Sequence, residues 1–126
     1  MNESFSRRQR LLNAADYRRV FAAPEVKSGQ AQVLLLARRN ALGHHRLGLA
    51  IAKKHIAAAA KRNLFKRLAR ERFRRLRAPN ADSCGEISTF DIVVLSRPAA
   101  SEADRATLGK ALDAQFLRLF KRANAH

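Results

Sequence analysis

The alternation of apolar and polar positions along the chain predicts three strands. Residues 32–38 (QVLLLAR) form a short apolar run, and residues 46–53 (RLGLAIAK) alternate between apolar and small or polar positions. The segment between them, NALGHH, contains Asn and Gly and predicts that these two strands pair as a hairpin. Residues 90–95 (FDIVVL) give the strongest strand pattern in the chain.

Helical spacing occurs on both sides of the predicted hairpin. Residues 6–21 contain a short helical pattern whose regular part is residues 14–21, with Asn13 as its N-cap. Pro24 ends this helix, and residues 27–29 (KSG) are predicted to be a linker.

Two further helices complete the predicted fold. A long one covers residues 56–77, and the last one begins at Ser101, an N-cap followed by an acidic first turn. The order is helix, strand, strand, helix, strand, helix. This order predicts an α+β fold, a small sandwich in which the helices pack on a mixed β-sheet.

The long helix sorts its charges by face. At about 100° per residue, its cations gather within an arc of roughly 100°. This basic arc consists of Asn63, Lys66, Arg67, Arg70, Arg74 and Arg77, with Arg62 near its edge. The opposite side, which we expect to be buried, consists of Ala57, Ala60, Leu64, Phe65, Leu68, Ala69 and Leu76. Like charges three and four residues apart repel one another, so a polyanion lying along the arc would relieve that repulsion.

A run of charges is usually a solvated helix face, but such faces normally mix acids with bases. Here Glu71 is the single acid in residues 61–77, and the whole chain carries a formal net charge of +16. An imbalance of this size indicates an acidic partner, and nucleic acid is favoured over a membrane surface. The chain of 126 residues is expected to be one RNA-binding domain (1–126), with a flexible basic tail at 1–9 and a core at about 10–122.

Several classes of site are not supported by the sequence. Cys84 is the only cysteine, so neither an internal disulfide nor a cysteine-based zinc site is possible within the chain. His44, His45 and His55 lack accompanying metal ligands, and we expect His55 to be exposed. The acids are scattered, whereas a two-metal nuclease needs converging carboxylates. Because neither a secretory pattern nor a long apolar run is evident, we expect a cytoplasmic protein without a membrane partner.

The spacing of basic motifs resembles that of the bacterial ribonuclease P protein subunit family. In that family a strand ending in paired lysines leads into a helix with Arg-Asn-Arg, then Lys-Arg and Arg-Glu motifs. The matching residues here are Lys53, Lys54, Arg62, Asn63, Lys66, Arg67, Arg70 and Glu71. The segments DYRRVF, RLGLAIAKK and FDIVVLSRPAA also resemble family segments, in the family's order. This sequence departs from the family at Leu64, in place of the motif's second arginine, and at Leu35, in place of a frequent aromatic residue.

The resemblance implies a function, a set of partners and an unusual connection in the fold. It implies a monomer that joins a catalytic RNA, one protein to one RNA, and this RNA uses Mg²⁺ to hydrolyse precursor tRNA at the mature 5′ end. It implies no catalytic residue and no metal ligand in the protein, and no DNA partner. It also implies a left-handed crossover between parallel strands, although the right-handed form is the general rule.

By resemblance, two groups of residues contact RNA. The catalytic RNA would be bound by Lys53, Lys54, Arg62, Asn63, Lys66, Arg67, Arg70 and Arg74. The 5′ leader of the precursor would lie in a cleft between the first helix and the sheet, contacted by Tyr17, Phe21, Leu35, Arg62 and Asn63. Independently of the resemblance, Tyr17 and Phe21 are four residues apart and so share a helical face that can stack on bases.

Three alternative functions remain open. A basic ribosomal or other non-catalytic RNA-binding protein would have the same composition. A DNA-binding regulator would need a short recognition helix after a tight turn, and the basic helix here is too long and too uniformly charged. A self-sufficient protein nuclease is disfavoured by the scattered acids.

Overall fold

The computed structural model describes residues 14–40, 42, 44–75 and 89–124, and it contains three α-helices and four strands in those parts of the chain. The predicted flexible tail, residues 1–9, and the proposed cap Asn13 lie outside the described residues. The elements are α1 (Ala14–Ala22), β1 (Val26–Gly29), β2 (Val33–Asn40), β3 (Arg46–Ala50), α2 (Ala59–Arg75), β4 (Thr89–Ser96), a 3₁₀ turn (Pro98–Ser101) and α3 (Arg105–Asn124).

The four strands form one mixed sheet in the order β1-β2-β4-β3. β1 and β4 run antiparallel to β2, whereas β3 runs parallel to β4. The α+β sandwich is therefore confirmed, but the predicted hairpin of β2 with β3 is wrong because β4 lies between them. β2 instead forms a hairpin with β1, the segment predicted to be a linker. The β3-α2-β4 connection is a crossover between parallel strands, and its left-handed sense stays a prediction.

The sheet carries a large core on one face and a small one on the other. α2 and α3 cover the first face and pack against each other. α1 packs on the second face, against β2 and β4. The small core contains only three buried side chains among the described residues, Val20, Leu36 and Val93. The large core contains most of the other buried apolar side chains, including Phe65, Phe73, Leu108, Leu112 and Phe116.

The burial pattern of α2 largely follows its predicted faces. Phe65, Leu68, Ala69 and Phe73 are buried, and Leu64 is half-buried against the large core. The predicted burial of Ala57 and Ala60 is wrong, since both are exposed. The helix begins only at Ala59, so helical periodicity does not apply to Ala57, and Ala60 lies in the first turn. Leu76 and Arg77 lie outside the described residues.

The N-cap of α3 lies three residues later than predicted. Ser101 ends the 3₁₀ turn that Pro98 begins, and its hydroxyl donates to the Pro98 carbonyl oxygen at 3.0 Å. Asp104 is the actual cap, since its Oδ1 accepts the backbone N–H of Thr107 at 2.7 Å. This backbone hydrogen bond stabilises the carboxylate and lowers the pKa of Asp104.

His45 joins the end of the sheet to α3 through an aromatic cluster. Its ring stacks on Phe90 with centroids 6.1 Å apart and meets the Phe120 ring edge-on at 5.3 Å. Its Nδ1 accepts the backbone N–H of Phe90 at 3.0 Å, so that nitrogen carries no proton in the folded protein. Burial, with a smaller Coulombic contribution from the neighbouring His44, lowers the pKa of His45 below 6.5.

This environment predicts that folding stability falls in mild acid. Because the unfolded chain binds a proton near pH 6.5 and the folded chain resists it, the free energy of unfolding should fall as pH drops below that value. The slope is at most about 1.4 kcal/mol per pH unit, and it ends at the lowered pKa of the folded state. Urea unfolding at several pH values between 7 and 5 gives the unfolding free energy as a function of pH. This free energy should change less steeply with pH in His45→Asn, because the asparagine can accept the same N–H without titrating. Equal slopes for the two proteins would contradict this assignment.

Candidate nucleic-acid interface

The outward face of α2 carries a row of cations. Asn63, Arg67 and Arg74 are exposed, whereas Lys66 and Arg70 are half-buried. Within the described parts of the chain, none of these four cations forms an ion pair with an acid. We call these five residues the basic row. Its uncompensated charge makes it a surface for a polyanion.

The acids near α2 lie on its other flank, towards α3. Arg72 lies there, with its Nη1 3.6 Å from Glu71 Oε2 and its Nε 3.1 Å from Asp113 Oδ1. Its guanidinium also lies over Gly109, where a Cβ would come within 2.5 Å of Nη2. Glycine at this position therefore lets Arg72 reach Asp113. Among the described residues, the ion pairs of α2 with acids are those of Arg72, and the cations of the basic row form none.

Arg70 has an unused donor in the basic row. Its Nε is buried, and it has no hydrogen-bond partner among the described residues. An unsatisfied buried N–H is costly, and a guanidinium presents its donors as a planar fork that suits phosphate oxygens. Because Nε is closed to solvent in this conformation, a phosphate on the basic row could reach it only after the Arg70 side chain turns outward.

Three further predicted cations lie between the end of β3 and the first turns of α2. Lys53 and Lys54 are exposed in the turn that follows β3. Arg62 is half-buried, and its Nη1 donates to the carbonyl oxygens of Ile56 and Ala57 at 2.9 and 2.7 Å. Arg62 therefore also holds the segment that leads into the helix.

His55 lies in the same turn, and the expectation that it is exposed is wrong. It is half-buried, with its Nδ1 3.2 Å from the Ser96 hydroxyl oxygen. The Ser96 hydroxyl oxygen also accepts the backbone N–H of Ala52 at 2.9 Å. His55 therefore helps to fix the turn between β3 and α2 to the end of β4.

A second surface lies where α1 crosses the sheet. Tyr17 is half-buried, and its hydroxyl oxygen accepts the backbone N–H of Leu49 at 3.1 Å. Phe21, one turn later, is 43% exposed. Beside α1, the sheet face is partly open at the half-buried residues Leu34, Ala50 and Leu95. We call this surface, formed by α1 and the open sheet beside it, the α1 cleft.

The predicted role of Leu35 in this cleft is wrong. Leu35 is fully buried in the large core, on the sheet face opposite to α1. Successive side chains of a strand point to opposite faces, so its neighbours Leu34 and Leu36 face α1 instead. Sequence reasoning missed Leu34 and Leu95, although strand alternation combined with the position of α1 could have identified them. It also missed two exposed cations near this side of the sheet, Lys27 and Arg97.

The described residues do not fit a magnesium site. No three His, Cys, Asp or Glu side chains in those parts of the chain are grouped as metal ligands. Asp16 and Asp91, which lie near each other, are both paired with Arg46. No helix in the described part of the chain is long and apolar enough to cross a membrane.

Sequence comparisons find a matching family model and relatives that cover most of the chain. The family model described as Ribonuclease P matches residues 5–123. A "Ribonuclease P protein component" from Chromohalobacter salexigens is 41% identical over 120 residues, covering 95% of this chain and 88% of the relative. One from Pseudomonas aeruginosa is 40% identical over 122 residues, covering 97% of this chain and 82% of the relative.

Solved structures show the same fold. The RNase P protein from Thermotoga maritima is 30% identical with a TM-score of 0.64, covering 90% of this chain and 96% of that one. The RNase P protein from Staphylococcus aureus is 22% identical and supports the fold alone, with a TM-score of 0.69 over 92% of each chain. From the family match and the curated relatives, the chain belongs to the ribonuclease P protein family.

Proposed function

We propose that this chain is the protein subunit of a ribonuclease P ribonucleoprotein that matures the 5′ ends of tRNA. The observation that carries this proposal is the basic row on α2, whose cations form no ion pair with an acid in the described part of the chain. It would bind the phosphates of the catalytic RNA, while Lys53, Lys54 and Arg62 extend the contact towards β3. We place the protein in the cytoplasm, as a monomer that joins one RNA.

In this proposal the RNA performs the hydrolysis. Two-metal hydrolysis requires carboxylates that converge on the metal ions, and the described acids are either separated or paired with arginines. Mg²⁺ would then be held by the RNA and the substrate. The protein would contribute binding and orientation, which speed a reaction by fixing the reacting groups in place.

The α1 cleft would hold the 5′ leader of precursor tRNA. A single strand is bound without sequence preference when bases stack on aromatic or apolar side chains and nearby cations track the backbone. The stacking surface would be formed by the exposed ring of Phe21, the half-buried Tyr17 and the partly open Leu34 and Leu95. The cations along the backbone would be Lys27 and Arg97. Tolerance of sequence would suit leaders that differ between tRNAs.

Phe21→Ala tests the stacking part of this proposal. The assembled ribonucleoprotein should bind leader-bearing precursor about 5- to 150-fold more weakly, the equivalent of about 1–3 kcal/mol for one base. Mature tRNA should bind unchanged, because it has no leader. Leu117→Ala is a matched control, since Leu117 is 60% exposed on α3, away from the cleft. Equal losses for precursor and mature tRNA would contradict a leader contact.

Cleavage of a 5′-extended precursor tRNA at low, near-physiological magnesium tests the function as a whole. The arms are the cognate catalytic RNA alone, the protein alone, and both together. The proposal requires efficient cleavage at the mature 5′ end only in the mixture. A mixture no faster than the RNA alone would refute the subunit role and favour a ribosomal or other RNA-binding function. Cleavage by the protein alone would refute the assignment of hydrolysis to the RNA.

A further inference from the structure

We propose that Arg46 and Asp16 are positioning residues that set the width of the α1 cleft by holding the first turn of α1 against the sheet. This inference rests on the proposed binding of the leader in that cleft. Neither residue would need to touch RNA. They would act through the position of α1 and of the aromatic side chains that it carries.

α1 is held only weakly by apolar packing. Among its described side chains only Val20 and Asp16 are buried, and Val20 packs with only two other buried residues, Leu36 and Val93. α2 and α3, by contrast, share the large core on the other face. The position of a nine-residue helix with so little buried apolar surface must depend strongly on its polar contacts.

Arg46 provides a charged contact at the start of α1. Its Nε and Nη2 donate to the two carboxylate oxygens of Asp91, both at 2.7 Å. The same guanidinium reaches the Asp16 carboxylate, with Nη1 and Nη2 at 3.5 and 3.4 Å. Asp91 is fixed in turn by the side-chain amide of Asn40 at 2.8 Å. Arg46 thus links a helix to a sheet residue that is already held in place.

The two halves of this link differ in strength. The fork-to-fork contact with Asp91 is short and lies on the rigid sheet, since Arg46 and Asp91 are partners in the β3–β4 register. The contact with Asp16 is longer by about 0.7 Å and leads to the lightly packed helix. Loss of Asp16 would therefore loosen α1 and leave the Arg46–Asp91 pair intact.

Other polar contacts show which movement remains possible. The Tyr17 hydroxyl holds the same end of α1 to the β3 backbone, and Arg38 donates to the carbonyl oxygen of Ala23 at 2.9 Å just beyond the other end. With Asp16 released, α1 could still be held near its C-terminal end. Its first turn would keep the Tyr17 hydrogen bond to Leu49 but lose the charged contact with Arg46, so it would be held less tightly relative to Leu34 and Leu95.

The test is Asp16→Asn in the assembled ribonucleoprotein, with Asp113→Asn as the matched control. Both changes remove one acid from an aspartate–arginine pair, so any general gain in RNA attraction is the same, but Asp113 pairs with Arg72 away from α1. We expect Asp16→Asn to lower the ratio of precursor affinity to mature-tRNA affinity by about 3- to 10-fold, because a loosened helix must be ordered again on binding. Asp113→Asn should leave this ratio unchanged.

A double variant separates positioning from a simple loss of stability. If Asp16 acts through α1, Asp16→Asn should cost much less leader affinity in a Phe21→Ala background than in the wild type. The idea is overturned if Asp16→Asn leaves the affinity ratio unchanged, or if it weakens precursor and mature tRNA equally. Additive effects in the double variant would also overturn it. If Phe21→Ala itself has no leader-specific effect, the leader-binding proposal fails first, so the two failures can be distinguished.

Discussion

Replacing Arg67, Arg70 and Arg74 together with glutamine should weaken binding of the catalytic RNA by on the order of 10- to 1,000-fold at physiological salt. The reason is counterion release, because each phosphate contact contributes about one to the slope of log affinity against log salt concentration. The slope of log affinity against log salt should become shallower by about 2–3. Titrations of labelled RNA at several salt concentrations measure both quantities.

A second triple variant separates the basic row from net charge. Arg105, Lys110 and Arg118 are exposed on α3, and their replacement with glutamine lowers the net charge of +16 by the same three units. We expect this control to change RNA affinity by less than about threefold, because screening is strong beyond roughly 8–10 Å. Equal losses in the two triple variants would mean that RNA responds to total charge, which would contradict the assigned surface.

Phe65→Ala should destabilise the fold by about 3–5 kcal/mol, a large fraction of the stability of a domain of this size. Phe65 has no exposed surface and lies on the inner face of α2, in the large core. Removing its ring leaves a cavity that the surrounding side chains can close only in part. Urea unfolding followed by circular dichroism measures the change.

Phe21→Ala is the natural comparison, because it removes the same ring from an exposed position. We expect a change in unfolding free energy of less than about 1 kcal/mol. The two phenylalanines would then have separate roles, since Phe65 stabilises the fold and Phe21 contributes to leader affinity. A large loss of stability from Phe21→Ala would show that this ring belongs to the core of α1.

The faces of α2 could be predicted from the sequence because helical periodicity is a local property. Once residues 59–75 are helical, the 3.6-residue repeat alone places Phe65 and Ala69 opposite Arg67 and Arg74. The cationic face required no knowledge of the rest of the fold. The α3 cap was missed by contrast, because the competing 3₁₀ turn at Pro98 determines where that helix can begin.

Strand pairing could not be predicted in the same way, because it depends on contacts distant in sequence. β4 separates β2 from β3, although β2 and β3 are close along the chain. β1 has only four residues, and its buried Ser28 is satisfied by Gln115, 87 residues away on α3. Neither contact leaves a local pattern. The face of β2 on which Leu35 lies could not be predicted either. A difference of one residue along a strand moves a side chain to the opposite face of the sheet.

Directed cleavage from two tethered probes tests most directly whether the protein holds two RNAs on two surfaces. Cys84 is the only cysteine, so a Cys84→Ser background allows an iron chelate to be attached at a single introduced cysteine. Arg67→Cys places the probe on the basic row, and Lys27→Cys places it on the sheet face that α1 covers. In the complex with precursor tRNA, we predict that the first probe cuts the catalytic RNA and the second cuts the 5′ leader. Cuts in the leader from Arg67→Cys alone, or no cuts in the catalytic RNA from that position, would contradict the account.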